Sequence, residues 1–268
     1  MGKLFTVFFF FAIANVAFAQ DSAFVKTYYL GSDSVSTYTT CFLTCDSNIV
    51  FIQLHEDETT GIEAGQEYFT ENGGYLVQLK HSGKRLVNFK HQSKDFTVDP
   101  NRIFTRNGLK DNMTKLKLYN AVAAKQVTNL AKEILQSYVD DKKLVIALHN
   151  NTDERFSILS YKKGNPEAPN ASKVSINEDM DPDDFILTTD TSIYRRIKEK
   201  NINVVLQSKN AKDDGSLSIY THRKKIPYIN IEAQHGHVEE QKQMLNAIKD
   251  IIESYSEIVD LNYIGTKK

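Results

Sequence analysis

Two imidazoles and two carboxylates, far apart in the chain, share one local context. His55 and Glu58 form an H-x-x-E pair directly after Ile49-Val50-Phe51-Ile52-Gln53-Leu54. His149 follows Leu144-Val145-Ile146-Ala147-Leu148, and Glu232 follows Ile229-Asn230-Ile231. A short apolar, β-branched-rich run reads as a strand buried on both faces. In an open α/β sheet, the residues just past the carboxyl ends of such strands face the ligand site. An imidazole and a carboxylate three residues apart come onto one side of a helical turn, a geometry that suits two ligands of one zinc ion. A second imidazole from another strand leaves part of the ion's coordination open, as in a catalytic rather than a structural site. An ion held in this way acidifies a water and polarises a carbonyl. A further carboxylate, Glu232, can then pass a proton to a leaving amine, worth roughly two to four powers of ten in rate. Arginines have a use beside it, steadying an oxyanion or clamping a substrate carboxylate. Each residue alone has a plainer reading: a solvated helix start for H-x-x-E, a hydrogen-bonded core histidine for His149, a salt-bridged strand end for Glu232. Their common position after buried strands favours the chemical one.

The elements that must position these residues alternate. Residues 25–30 read as an edge strand in a Ser/Thr-rich opening, and 62–69 as a short helix stopped by Asn72-Gly73-Gly74. Residues 75–80 and 85–89 alternate like two strands paired around His81-Ser82-Gly83-Lys84. Asp99-Pro100-Asn101-Arg102 is a turn. Ala123, Val127, Leu130, Ile134 and Tyr138 recur at helical spacing within 116–139. Residues 161–184 are a polar surface excursion, 193–200 a helix, 203–207 and 226–231 strands, and 238–259 a final helix. The alternation predicts a single α/β domain, with a central mixed, mostly parallel sheet flanked by helices. There is no internal repeat and no second domain.

The ends and the composition narrow the class further. Met1-Gly2-Lys3, an apolar stretch over 4–16 and Ala17-Phe18-Ala19 read as a signal peptide over residues 1–19, cut after Ala19. The mature domain would then be residues 20–268 of a secreted or periplasmic protein with no membrane attachment after cleavage. Cys41 and Cys45 are the only cysteines, and in an exported chain such a pair suits a small disulfide loop. Asn112, Asn150 and Asn170 each open a glycosylation sequon, which matters only in a eukaryotic source. The formal net charge is −1 with the basic residues dispersed, so nothing in the charge argues for a nucleic-acid partner.

His55-x-x-Glu58, Asp99-Pro100-Asn101-Arg102, Leu148-His149-Asn150 and Ile231-Glu232, in that order, resemble the zinc carboxypeptidase superfamily, the funnelins, near its succinylglutamate desuccinylase and aspartoacylase branch. The resemblance spans residues 49–232. It implies one Zn²⁺ on His55, Glu58 and His149, a substrate carboxylate held by Asn101 and Arg102, and Glu232 as general base and acid. Arg85 is the best candidate for the oxyanion arginine. Asp214-Gly215-Ser216 is similar to the loop that precedes the family's glutamate. The sequence departs from the pattern in two places. The loop ahead of the glutamate, Gln207-Ser208-Lys209-Asn210, lacks the substrate-binding tyrosine of carboxypeptidases, and Tyr220 is a poorly placed substitute. Ala233-Gln234-His235-Gly236-His237 continues in neither branch's usual way; His235 and His237 could each supply a ligand or only a solvated loop, and Arg155 is a weak substrate-site candidate. The expected activity is hydrolysis of an amide or peptide bond beside a free carboxylate, on a small peptide or acyl-amino-acid substrate. The alternative is a catalytically degenerate peptide- or glycan-binding module on the same fold.

Overall fold

The central strands appear where apolar residues run unbroken, because both faces of the sheet are covered there. The computed structural model describes residues 22–43, 46, 48–116, 118–152 and 155–256. The leader expected over 1–19, Cys45 of the expected Cys41–Cys45 bridge and the end of the last expected helix lie outside them. In chain order the elements begin with β1 (Ser22–Leu30), β2 (Asp33–Phe42), β3 (Ile49–Gln53), α1 (Thr59–Asn72) and β4 (Gly74–Lys80). They continue with β5 (Val87–His91), β6 (Lys94–Val98), α2 (Arg106–Lys115), α3 (Ala121–Tyr138) and β7 (Leu144–Asn151). Then come β8 (Ala171–Ser175), β9 (Phe185–Thr188), α4 (Thr191–Glu199), β10 (Val204–Gln207), α5 (Leu217–Lys224), β11 (Tyr228–Gln234), α6 (Val238–Ala247) and α7 (Lys249–Ser256).

Nine strands form one sheet in the order β1-β2-β4-β3-β7-β11-β9-β10-β8. Its centre, β4-β3-β7-β11, is parallel, and following the pairings outward leaves six of the nine strands pointing one way. This is the mixed, mostly parallel sheet expected. Side chains alternate between its faces. Ile49, Phe51, Ile146, Leu148, Ile229 and Ile231 pack against α1, α4, α6 and α7 on one side. Val50, Ile52, Leu54, Val145, Ala147 and Tyr228 pack against α2, α3 and the β5–β6 hairpin on the other. Helix α3 holds its place through the apolar stripe predicted for it, with Asn120 Oδ1 capping the Val122 and Ala123 amides. Burying residues such as Leu130 and Ile134 contributes about 1.5–3 kcal/mol each.

Several local expectations are corrected. β4 does not pair with residues 85–89. It lies inside the sheet between β2 and β3, whereas β5 forms a separate two-stranded sheet with β6. Leu76 is buried on one face of β4 and Val77 and Leu79 on the other, as a place inside the sheet requires. The 161–184 excursion contributes β8, the far edge strand, and β9 follows it. Helices α2 and α5 were not anticipated. The last helix breaks at Ile248, where ψ turns to 5°. Among the described residues no helix is long and apolar enough to cross a membrane.

Candidate active site

Strands β3, β7 and β11 are parallel neighbours, so their carboxyl ends open onto one edge. Register sets Glu232 directly beside His149 and Ile52 beside Ala147. His149 and Glu232 project from the face that also carries Val145, Ala147 and Tyr228. After β3 the chain turns through His55 and Glu58 into α1. Glu58 occupies the position that would cap α1, yet its side chain caps nothing there. It is turned instead to the histidines, with Oε1 2.8 Å from His55 Nδ1 and Oε2 2.6 Å from His149 Nδ1. Gln53 holds this turn by donating to the Glu58 carbonyl at 2.6 Å. His55, Glu58, His149 and Glu232 are all buried.

The donor set suits a metal ion. One ligand atom from each of His55, Glu58 and His149 lies within 4.8 Å of the other two. Asp99 Oδ1 sits 2.9 Å from His55 Nε2. A carboxylate there accepts the Nε2–H hydrogen bond and fixes the ring, so that an ion displacing the Nδ1 proton would meet the Nδ1 lone pair, the outer arrangement that metal-binding histidines need. Charge follows the geometry. Burial would lift the Glu58 carboxyl, but the two imidazoles outweigh it and hold the group well below the usual carboxylate range. Burial would lower His55, yet its bonds to Asp99 and Glu58 raise it to about 9. Asp99 is likewise held low: its own burial opposes this, and the His55 bond and the Arg102 charge prevail. Glu232 moves the other way. Burial raises it, against the pull of His149, and Asn230 Nδ2 supports its Oε1 at 2.9 Å.

Around this corner lies a cavity of about 880 Å³, lined by His55, Glu58, Arg85, Asn101, Arg102, His149 and Glu232 among others. The seven residues to which the resemblance gives roles therefore line one cavity. Arg85 Nη1 pairs with Glu58 Oε1. Asn101 is fixed by the Leu217 amide on its Oδ1 at 3.0 Å, and its Nδ2 lies 3.4 Å from His149 Nε2. Arg102 donates Nη1 to the Asn101 carbonyl at 2.7 Å, with Nε 3.5 Å from Asp214 Oδ2. His235 and Arg155 also line the cavity, but His235 Nδ1 bonds to Thr60 Oγ1 at 3.3 Å and is not in the cluster. His237 is turned to Asp184 at 2.9 Å, and Tyr220 to Asp140 at 2.6 Å; neither lines the cavity.

Three residues with evident work were given no role from sequence. Asp99 was read only as part of a turn. Glu56 Oε2 accepts the amides of His81, Ser82 and Gly83 at 2.7, 2.8 and 2.7 Å, pinning the loop that carries Arg85. Gln53 was read as one more strand residue. In each case the partner is too distant in the chain for a local pattern to reveal.

Fold and site together describe an α/β domain with a His–Glu–His cluster and a buried carboxylate at the carboxyl edge of its sheet. No family model and no curated protein matches the chain. Solved structures similar in overall trace include a succinylglutamate desuccinylase from Vibrio parahaemolyticus, at 10% identity and TM-score 0.44, covering 87% of this chain and 67% of that one. An aspartoacylase family protein from Mesorhizobium loti shows 14% identity and TM-score 0.44, covering 87% and 68%. Bovine thrombin-activatable fibrinolysis inhibitor shows 10% identity and TM-score 0.45, covering 89% and 91%.

Proposed function

We propose that this chain is a zinc-dependent hydrolase of an amide or peptide bond next to a free carboxylate. The observation that supports it best is the meeting of the His55–Glu58–His149 cluster with the buried Glu232 in one cavity. One Zn²⁺ held by those three residues would supply Lewis acidity toward a carbonyl and a water. The remaining work falls to the chain. Asn101 and Arg102 hold the substrate's carboxylate, a pairing that suits the planar guanidinium. Arg85 places positive charge beside Glu58, where an oxyanion would develop. Glu232 accepts a proton from the attacking water and returns it to the leaving nitrogen; a carboxyl raised by burial is matched to both steps. The cavity walls limit bulk water around the bond. Small peptides and acyl-amino acids are the substrates this arrangement suits.

The absence of a cavity-lining tyrosine at position 220 favours the rival reading, a binding module that keeps the fold and the metal. One experiment separates them. Purified protein should contain about one zinc, hydrolyse members of a panel of free-carboxylate peptides and acyl-amino acids, and fall silent with a chelator. Glu232→Gln should retain the metal and lose roughly two to four powers of ten in turnover. Metal-independent hydrolysis, or zinc-loaded protein that binds the panel and cleaves none of it, would refute the hydrolase.

A further inference from the structure

Beyond Glu232 the cavity continues along β11, and its walls carry hydrogen-bonding atoms that the proposed reaction does not use. Tyr228, Asn230 and Glu232 occupy alternate positions of β11 and share one face. All three line the cavity, as does Tyr161. Asn230 spends its Nδ2 on Glu232, but its Oδ1 is buried with no partner. The hydroxyls of Tyr161 and Tyr228 have no hydrogen-bond partner among the described residues, although both side chains are more than nine-tenths buried. Burial, with nearby carboxylates, pushes both phenols far up, so each keeps its proton. Tyr161 is held rigidly, its ring 5.9 Å from Phe156 and 6.0 Å from Phe185. The buried, unpaired Asn230 oxygen is costly unless a ligand completes it, and the two hydroxyls line the cavity beside it.

The charge of this end is one-sided. Glu167, Asp214 and Glu232 face Arg102, which already leans on Asp214 and which the proposed function commits to the substrate's carboxylate. Arg85 is taken by Glu58, and Arg155 is exposed at the rim. With only Arg102 and the exposed Arg155 against Glu167, Asp214 and Glu232, a second carboxylate on the substrate would add to an excess of negative charge. A neutral group that donates a hydrogen bond would meet the Asn230 oxygen.

We infer that the inner end of the cavity binds an uncharged side chain ending in a hydrogen-bond donor, with a phenol the form its aromatic walls fit best. This inference rests on the reading of the cavity as a carboxylate-substrate site. It separates the chain from hydrolases of acylated diacids, whose substrates carry the wrong charge for this pocket.

Calorimetry on the zinc-loaded protein tests it without turnover, using 3-(4-hydroxyphenyl)propionate, 3-phenylpropionate and glutarate as probes. The hydroxyphenyl acid should bind about tenfold more tightly than its phenyl counterpart, with glutarate weakest. Tyr161→Phe or Asn230→Ala should shrink that preference to under about threefold while the affinity for 3-phenylpropionate stays put. Loss of the preference in either variant supports the subsite. Glutarate binding as tightly as the phenol, no binding of any probe, or a preference that survives both substitutions would overturn it. The outcome is separable from the hydrolase reading. Protein that binds in this order yet cleaves nothing keeps the subsite and loses the enzyme. Protein that cleaves acylated aspartate or glutamate in preference keeps the enzyme and loses the subsite.

Discussion

At the scale of single residues, the site depends on which nitrogen of His55 carries the proton. Both ring nitrogens have a carboxylate within 2.9 Å, Glu58 on one side and Asp99 on the other. Asp99 also accepts the Asn101 amide at 2.8 Å, so one oxygen orients both a metal-ligand candidate and the turn that carries Arg102. Bonds of this kind, buried and charge-assisted, are about twice as strong as neutral ones. By contrast the exposed Lys26–Glu133 pair, both side chains about half exposed, belongs to the class that contributes only a few tenths of a kcal/mol. Asp99→Asn keeps the size and one acceptor oxygen but removes the charge. Its expected effect is a fall in zinc affinity of about tenfold to a hundredfold, measured by competition with a chromophoric chelator. The unfolding temperature measured without metal should fall as well, because the buried His55–Asp99 bond loses its charge. A merely structural aspartate would lower stability and leave zinc affinity where it was.

At the scale of elements, the substrate turn is set by two glycines in contact. Phe104 donates its amide to the Gly215 carbonyl at 2.9 Å, locking the Asp99–Arg102 turn to the loop before α5. Gly215 has φ of +86°, and a Cβ there would stand 2.4 Å from the Arg102 carbonyl oxygen. On the other side, a Cβ on Gly108 in α2 would lie 2.1 Å from the Gly215 backbone. Gly215→Ala must therefore push Arg102 aside while leaving β3 and β7 untouched. KM for carboxylate substrates should rise about tenfold or more, with zinc content unchanged; an unaltered KM would show that Arg102 does not hold the substrate. These elements also mark where the sequence stops being informative. β3, β7 and β11 could be read directly, since strands covered on both faces must be apolar throughout, and their shared site followed. Helix α2 could not: Arg106-Asn107-Gly108-Leu109-Lys110-Asp111-Asn112-Met113 buries only Gly108, Leu109 and Met113, and tertiary contact rather than periodicity places it. β9, four residues long, offers too short a pattern. The supposed pairing of 75–80 with 85–89 failed because the intervening loop is fastened by Glu56, outside both segments.

At the scale of the whole molecule, the cluster sits where separate parts of the fold meet. His55 and Glu58 bridge β3 to α1, His149 ends β7, and Gln241 of α6 donates to the His149 carbonyl at 3.1 Å. An ion bound there ties the central strands to the helix layer on the opposite face of the sheet, so binding and folding are linked. The linkage has a size. Zinc at a hundred times its dissociation constant adds about 2.7 kcal/mol to the folded state. For a domain of this length each kcal/mol moves the unfolding midpoint by roughly 2–4 °C. Adding zinc to chelator-stripped protein should therefore raise the midpoint by about 5–10 °C, and the rise should grow with the logarithm of zinc concentration. In Glu58→Gln, which keeps the packing but removes the central charge, the rise should vanish. The acidic group at Asp179, Asp181, Asp184 and Glu240 supplies the control, because it lines a different cavity about 560 Å³ in volume. If Glu58→Gln still shifted with zinc as the unaltered protein does, the ion would be stabilising some such surface group, and the three strand ends would have converged for a reason other than metal.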